Sequence, residues 1–390
     1  METNGIEQKS AKQNINHAFR LLSAFAIFSV VAGHLGGGGF SWLYRLFPAY
    51  QFHLATFIFI SGYFYQTKYE QQPLAYIKKK FWHLLVPMYL WNLFYGIVVN
   101  VLKHYDLVTF GEALSFKTLV IKPLYHGHQF VLDLALWFVP PLFFAEVFTV
   151  LFRRWLNARS IRNEYAIFLL YLFIGIVGTE LAIHGLNTKA WLLICKTCIF
   201  IGFFGIGRMY RTKWEQREPS SHVKYLAGIL LMQIPLRWYF QTYHNYNLGL
   251  TLSWCPSKEF ILLGPVLPFV TATFGVLFWL RICKIVEPWL RRNWLLNQMG
   301  EHTFAIMAHH LMGAMLVKLL LAAIVVLFGV TFSHFDWQKI QSDIWYRPVF
   351  DTGKHLSTIY LVAGIAFSLV IAHVETRVRE MFQRLRKRKS

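Results

Sequence analysis

The feature that most constrains this chain is a series of apolar runs, each close to the length of a membrane-spanning helix and each bordered by basic residues. A helix needs about 20 apolar residues to cross the hydrocarbon core of a bilayer. Backbone polar groups in that core must pair within the protein, which favours helices over open strands. The runs therefore predict an all-α fold, namely a polytopic helical bundle in a membrane.

Ten runs can be assigned as spans, and the segments between them are short. The spans are centred on residues 21–40, 50–66, 84–102, 131–152, 165–184, 190–209, 225–241, 260–281, 303–329 and 357–374. Because even the longest loops, 103–130 and 331–356, are too short for a folded soluble domain, a single membrane domain is expected. We place it at 18–376, with a cytoplasmic tail at 1–17 and a basic cytoplasmic tail at 377–390.

The charge distribution orients this bundle. The chain has 39 Lys+Arg against 19 Asp+Glu, and most of the bases lie in the tails and in alternate loops. The basic clusters are at 78–80, 153–162, 208–224, 281–292 and 377–389. By the positive-inside rule, both termini are expected in the cytoplasm. Because the bases border apolar runs, we expect them to contact membrane lipids, and we expect no nucleic-acid partner.

The first span carries a basic residue near its start and a histidine near its end, Arg20 and His34. On a straight helix these residues lie about 21 Å apart along the axis. A histidine within a bilayer is a candidate functional residue, because an imidazole can accept a proton from a hydroxyl near neutral pH. The alternative is a histidine that only satisfies a backbone carbonyl near the helix end.

Several short motifs follow one another in a recognisable order. They are the Arg20 to His34 helix, FIFISGYF at 57–64, the three lysines at 78–80 with Pro87, LWFV at 136–139, and GEHTFAIMAHH at 300–310. In this order the chain resembles acyltransferase family 3 over nearly its whole length. The resemblance implies an integral-membrane O-acyltransferase of about ten helices in the inner or plasma membrane of a bacterium. Such an enzyme moves an acetyl group from cytoplasmic acetyl-CoA to a hydroxyl of a cell-surface polysaccharide or lipid-linked glycan.

Polar residues at the predicted cytoplasmic face are candidates for binding the acyl-CoA donor. Arg20, Lys78 and Lys80 can contact its phosphates, because arginine makes bidentate contacts and lysine supplies a point charge. Ser61 lies at the same depth, and it either positions the donor or lets helices pack closely. The alternative for the basic residues is that they orient the protein and bind anionic lipid.

The motif at 300–310 supplies a second histidine. The family's spacing from a Ser/Thr to a histidine matches Thr303 to His310, so the resemblance implies a catalytic-site role for His310. The adjacent His309 points about 100° away on a helix and is expected to line the substrate cavity or to bond to another helix.

Three further residues are expected to line the substrate cavity. Asp133 and Glu146 lie within predicted spans, where a carboxylate marks a polar interior. Trp137 shares a helix face with Asp133 at i and i+4 and can stack on a sugar ring. The alternative for Trp137 is packing in the interfacial aromatic belt.

The remaining histidines and cysteines show no spacing typical of metal ligands, so no metal is expected. The alternative function is a polytopic carrier or flippase for a lipid-linked sugar, in which buried histidines relay protons. Carriers more often show repeated halves, and this sequence has no internal repeat. The sequence leaves open the acceptor glycan and the position acylated, the acyl chain, the oligomeric state, and whether His34 acts as a base or as an acyl-imidazole.

Overall fold

The structure is a computed structural model, and it describes residues 16–35, 47–244, 264–330, 335–348 and 357–387. Over these ranges the chain forms fourteen α-helices and no β-strand. The helices are α1 (His17–Leu35), α2 (Ala49–Tyr63), α3 (Pro73–Lys80), α4 (Val86–His104), α5 (Lys122–Tyr125), α6 (Val139–Ala158), α7 (Glu164–Ile183), α8 (Lys189–Met209), α9 (His222–His244), α10 (Leu267–Leu290), α11 (Trp294–Glu301), α12 (Thr303–Phe328), α13 (Trp337–Ser342) and α14 (Ser357–Lys387). The predicted all-α class is confirmed.

Within the described ranges, eight helical stretches are long and apolar enough to cross a membrane. They are His17–Leu35, Pro73–His104, Leu134–Ala158, Glu164–Ile183, Lys189–Arg217, Leu267–Leu290, Thr303–Phe328 and Thr358–Leu385. The other two predicted spans are also helical, but α2 has only 15 residues, and α9 contains Pro235 and several polar residues. The chain is therefore a polytopic membrane bundle.

Several helices differ from the predicted bounds, and two of these differences have local reasons. The span predicted at 131–152 starts with a 3-10 turn at Leu134–Phe138, and α6 follows it with Pro140 in its first turn. Proline is favoured at the start of a helix because its missing N–H would be unpaired there. Helix α14 continues to Lys387, past the predicted tail boundary, because its charged C-terminal half still consists of good helix formers.

Helix α1 lies inside the bundle and defines its two ends. It packs against α2, α10, α11, α12 and α14, and the side chains of Leu22, Ile27 and Val31 are fully buried. Helices α1 and α2 are antiparallel, because Phe19 stacks on Tyr63 at one end and Gly33 and Tyr50 are in contact at the other. We call the end with Arg20 and the lysines at 78–80 the basic end, and the end with His34 the far end.

Buried ion pairs tie the loops of the basic end to the helices. Arginine side chains from α6, α8 and α10 are almost fully buried there, and each contacts a carboxylate. The pairs are Arg153–Glu70 (2.7 Å), Arg153–Glu164 (2.7 Å), Arg208–Glu164 (3.1 Å) and Arg281–Glu218 (3.1 Å). Since breaking one buried pair leaves an uncompensated charge, these contacts hold the basic end in one arrangement.

Candidate functional site

Two histidines from distant parts of the chain meet inside the bundle. The Nδ1 atom of His34 lies 2.8 Å from the Nε2 atom of His310. The two rings are nearly parallel, with centroids 5.1 Å apart. Gly364 of α14 packs against both helices, and a Cβ added to it would lie 2.9 Å from the carbonyl oxygen of His310. Helices α1, α12 and α14 thus hold the pair together.

Backbone carbonyls determine how this pair shares its protons. The Nδ1 atom of His310 lies 2.9 Å from the oxygen of Ile306 and 3.0 Å from that of Met307. A carbonyl only accepts, so Nδ1 of His310 carries its hydrogen and Nε2 carries the lone pair. Nδ1 of His34 must then donate to that lone pair. This hydrogen-bond order leaves the lone pair of His34 on its Nε2 atom.

A segment of the last loop, Asp343–Pro348, lies against this pair at the far end. Arg347 donates from Nη2 to the carbonyl oxygen of His34. The indole of Trp345 has its centroid 5.6 Å from that of the His34 ring, and the ring of Tyr50 lies 6.5 Å away. The candidate site therefore combines a histidine pair with an arginine and two aromatic rings.

Another loop places His128 within electrostatic range of His34. Burial lowers the pKa of His128 to about 3, and the positive charges of its neighbours lower it further. This imidazole therefore stays neutral at physiological pH.

A second polar cluster lies toward the basic end, around the buried carboxylate of Glu146. Its Oε1 atom accepts hydrogen bonds from Ser61 Oγ and from Lys80 Nζ, the latter at 2.8 Å. Its Oε2 atom is buried and has no hydrogen-bond partner within the described part of the chain. Three predicted site residues thus meet here, and the Ser61 hydroxyl is engaged with a carboxylate.

Arg20 lies at the basic end and contacts the motif that also contains His310. Its Nη1 atom is 3.6 Å from Glu301 Oε2, and a Cβ added to Gly300 would be 2.3 Å from the carbonyl oxygen of Arg20. The two motifs at 20–34 and 300–310 are therefore neighbours at both of their ends. Lys78 is exposed at the same end of the bundle.

His309 faces a different set of residues. Its Nδ1 atom lies 2.7 Å from the hydroxyl of Tyr95, and Trp91 packs edge-on with its centroid 4.1 Å away. Asp133 is 2% exposed and lies within electrostatic range of Tyr95. Adjacent positions on a helix point about 100° apart, so His309 faces α4 while His310 faces His34. Asp133 belongs to the cluster around His309.

The expectation that Trp137 shares a helix face with Asp133 is wrong. Asp133 precedes the helix, and residues Leu134–Phe138 form a 3-10 turn with about three residues per turn. Positions four apart therefore do not align. The ring of Trp137 is 5% exposed, and the Nζ atom of Lys196 lies 4.0 Å from its centroid. The ring packs against this cation, and its role in the substrate cavity stays a prediction.

The sequence reasoning missed four residues near the histidines: Tyr95, Lys318, Trp345 and Arg347. A signal existed for Lys318, since it is a lysine within the apolar run at 303–329. Trp345 and Arg347 lie in a loop whose fold against the helices no local pattern predicts. In the part of the chain that the structure describes, no group of three or more His, Cys, Asp or Glu side chains is placed to hold a metal ion.

Comparison with known protein families identifies the family of this chain. A family model described as "Acyltransferase domain", that of acyltransferase family 3, matches residues 16–373. No curated protein and no solved structure matches the chain. The match covers most of the chain and includes both histidines of the pair. The chain therefore belongs to acyltransferase family 3 and is a membrane-bound acyltransferase.

Proposed function

We propose that this acyltransferase moves an acetyl group from acetyl-CoA to a hydroxyl of a cell-surface polysaccharide or lipid-linked glycan, with His34 as the general base. The observation that carries the proposal is the order of hydrogen bonds from His34 to His310 to the carbonyls of Ile306 and Met307. It resembles the arrangement in catalytic triads, where a third group fixes the tautomer of the basic imidazole. Family membership favours this transferase over a carrier.

The chemistry follows from the position of the lone pair. Nε2 of His34 takes the proton from the acceptor hydroxyl as its oxygen attacks the thioester carbonyl carbon. The new C–O bond forms and the carbonyl oxygen becomes negatively charged. When the intermediate collapses, the C–S bond breaks and the imidazolium returns its proton to the thiolate. His310 keeps the His34 ring oriented throughout.

The donor is proposed to approach from the basic end, with both termini in the cytoplasm. Arg20 and Lys78 offer positive charge there to the phosphates of coenzyme A. We assign Lys80 and Ser61 an indirect role in donor binding. Both contact the buried Glu146 and so shape the wall of the proposed donor site. Since Arg20 and His34 are about 21 Å apart along α1, the thioester must reach deep into the bundle.

The direct test is the His34→Gln variant, assayed for acetyl-CoA hydrolysis and for labelled-acetyl transfer. We expect kcat to fall by about 100-fold or more, the low end of general-base contributions. The matched control is His184→Gln, since the side chain of His184, directly after α7, is 63% exposed and pairs with Glu180. Wild-type turnover in a correctly folded His34→Gln protein would disprove the mechanism. An acetyl label on His34 of the wild type that hydroxylamine removes would instead indicate an acyl-imidazole.

A further inference from the structure

Resting on the proposed function, we propose that the Asp343–Pro348 segment is the acceptor subsite. In this subsite the indole of Trp345 is the platform on which a sugar ring stacks. Lys318 is the positioning residue that holds the segment beside His34.

Lys318 anchors the segment from inside the bundle. The residue lies on α12, about 12 Å further along the helix than His310, and it is fully buried. Its Nζ atom donates to the carbonyl oxygens of Asp343 at 3.0 Å and Ile344 at 2.7 Å. A buried ammonium within a membrane helix is costly, so these bonds both satisfy Lys318 and join the loop to the helix.

Further contacts fix the segment on both sides of Trp345. Before it, the side chain of Ile344 is 5% exposed, and the carboxylate of Asp343 accepts from the backbone N–H of Trp345 at 2.7 Å. After it, the hydroxyl of Tyr360 donates to the carbonyl oxygen of Pro348 at 2.8 Å. The backbone is therefore held while the indole itself is free to bind.

The indole of Trp345 is partly exposed and lies beside His34. Trp345 is 45% exposed, and its plane is tilted by 46° to the His34 ring. An aromatic face packs well against the apolar face of a pyranose, and a rigid tryptophan loses little entropy in doing so. A tryptophan that served only as a lipid anchor would face the bilayer and not the histidine. A sugar on this indole would bring a hydroxyl to His34.

The test compares acceptor use with donor use. Purified protein is given labelled acetyl-CoA and a panel of methyl glycosides of glucose, galactose, mannose and N-acetylglucosamine. For the glycoside that the wild type uses best, Trp345→Ala should raise the KM about tenfold, and Trp345→Phe should raise it less. The KM for acetyl-CoA should stay within about twofold of the wild type, because the indole is proposed to contact the acceptor and not the donor. Trp238→Ala is the control, because Trp238 is 59% exposed on α9.

Separate variants test the positioning role of Lys318. Lys318→Met should raise the glycoside KM as much as Trp345→Ala does and leave the KM for acetyl-CoA unchanged, since the segment that loses its anchor is proposed to contact the acceptor and not the donor. Lys339→Met is the control, because Lys339 belongs to the same loop and its side chain is 64% exposed. If Lys318→Met does not fold, Tyr360→Phe removes a second anchor, and we expect it to raise the glycoside KM about threefold.

The outcomes separate this inference from the proposed function. An unchanged glycoside KM in Trp345→Ala would overturn the subsite and leave the proposed acyl transfer intact. The same holds for a wild type that hydrolyses acetyl-CoA but acetylates no glycoside. A Lys318→Met protein in which the KM values for glycoside and for acetyl-CoA rise equally would contradict its positioning role. A wild type without any acetyl-CoA hydrolysis or transfer would overturn both proposals.

Discussion

At the scale of single residues, the proton on His310 decides what His34 can do. A His310 ring protonated only on Nε2 would donate to His34, and the base would then lose its orienting acceptor. The carbonyls of Ile306 and Met307 prevent this, because they require the hydrogen on Nδ1. The backbone of α12 thereby sets the tautomer of a side chain on α1.

The two histidines are expected to act as a unit. His310→Ala should lower kcat by about 10- to 100-fold, because His34 loses the group that orients it. The double variant with His34→Gln should be no slower than His34→Gln alone. Steady-state rates of the two single variants and the double variant check this. Losses that multiply in the double variant would show that His310 contributes independently of His34.

Arg20 is expected to contribute through the donor. Arg20→Ala should raise the KM for acetyl-CoA about tenfold or more, since a charge-assisted contact to phosphate contributes about 1.5 to 3 kcal/mol. The control is Glu301→Gln, which removes the 3.6 Å partner of Arg20 and leaves the guanidinium in place. Equal increases of the KM in both variants would mean that Arg20 acts by pairing with Glu301.

At the scale of helices, glycines decide how closely α2 and α8 approach. A Cβ on Gly62 would lie 2.1 Å from the carbonyl oxygen of Phe204, and one on Gly207 would lie 2.0 Å from that of Phe59. These contacts leave no room for a side chain, which is the role small residues play between membrane helices. They also hold Ser61, next to Gly62, at the carboxylate of Glu146.

Stability measurements can test this helix contact. Gly62→Ala should lower the stability of the protein by about 1 to 3 kcal/mol, because the two backbones must move apart. The measurement is the thermal unfolding midpoint in detergent. Gly228→Ala is the matched control, since nothing lies within 4 Å of its added Cβ and no loss is expected there. An unchanged midpoint for Gly62→Ala would contradict the close packing.

The positions of most helices could be predicted from local sequence, but their ends and faces could not. Apolar runs predicted α7, α8 and α12 well, because burial in lipid depends on the composition of the run itself. The 3-10 turn at Leu134–Phe138 was missed, since the same apolar residues fit either kind of helix. Because of this turn, Trp137 does not share a helix face with Asp133, and its ring packs against Lys196.

At the scale of the whole molecule, the proposed orientation can be tested by labelling from one side. Phe116→Cys, in the loop at 103–130, and Leu74→Cys, at the basic end, are placed in a background without the four native cysteines. Both side chains are well exposed, at 72% and 79%. A membrane-impermeant maleimide should label position 116 in intact cells and position 74 only after permeabilisation. The reverse pattern would contradict cytoplasmic termini.

The sequence by itself determined the fold class of this protein and indicated the two histidines of its candidate site, His34 and His310. Hydropathy determines insertion into a membrane, because the transfer of each run into lipid depends on the composition of that run alone. The motif order around Arg20, His34 and His310 indicated the family. The tertiary structure decided that His34 and His310, 276 positions apart, share a hydrogen bond. It also decided that Lys318 holds Trp345 and Arg347 against them. Such contacts depend on helix rotation and on a loop folding back between helices, which no local run of residues specifies.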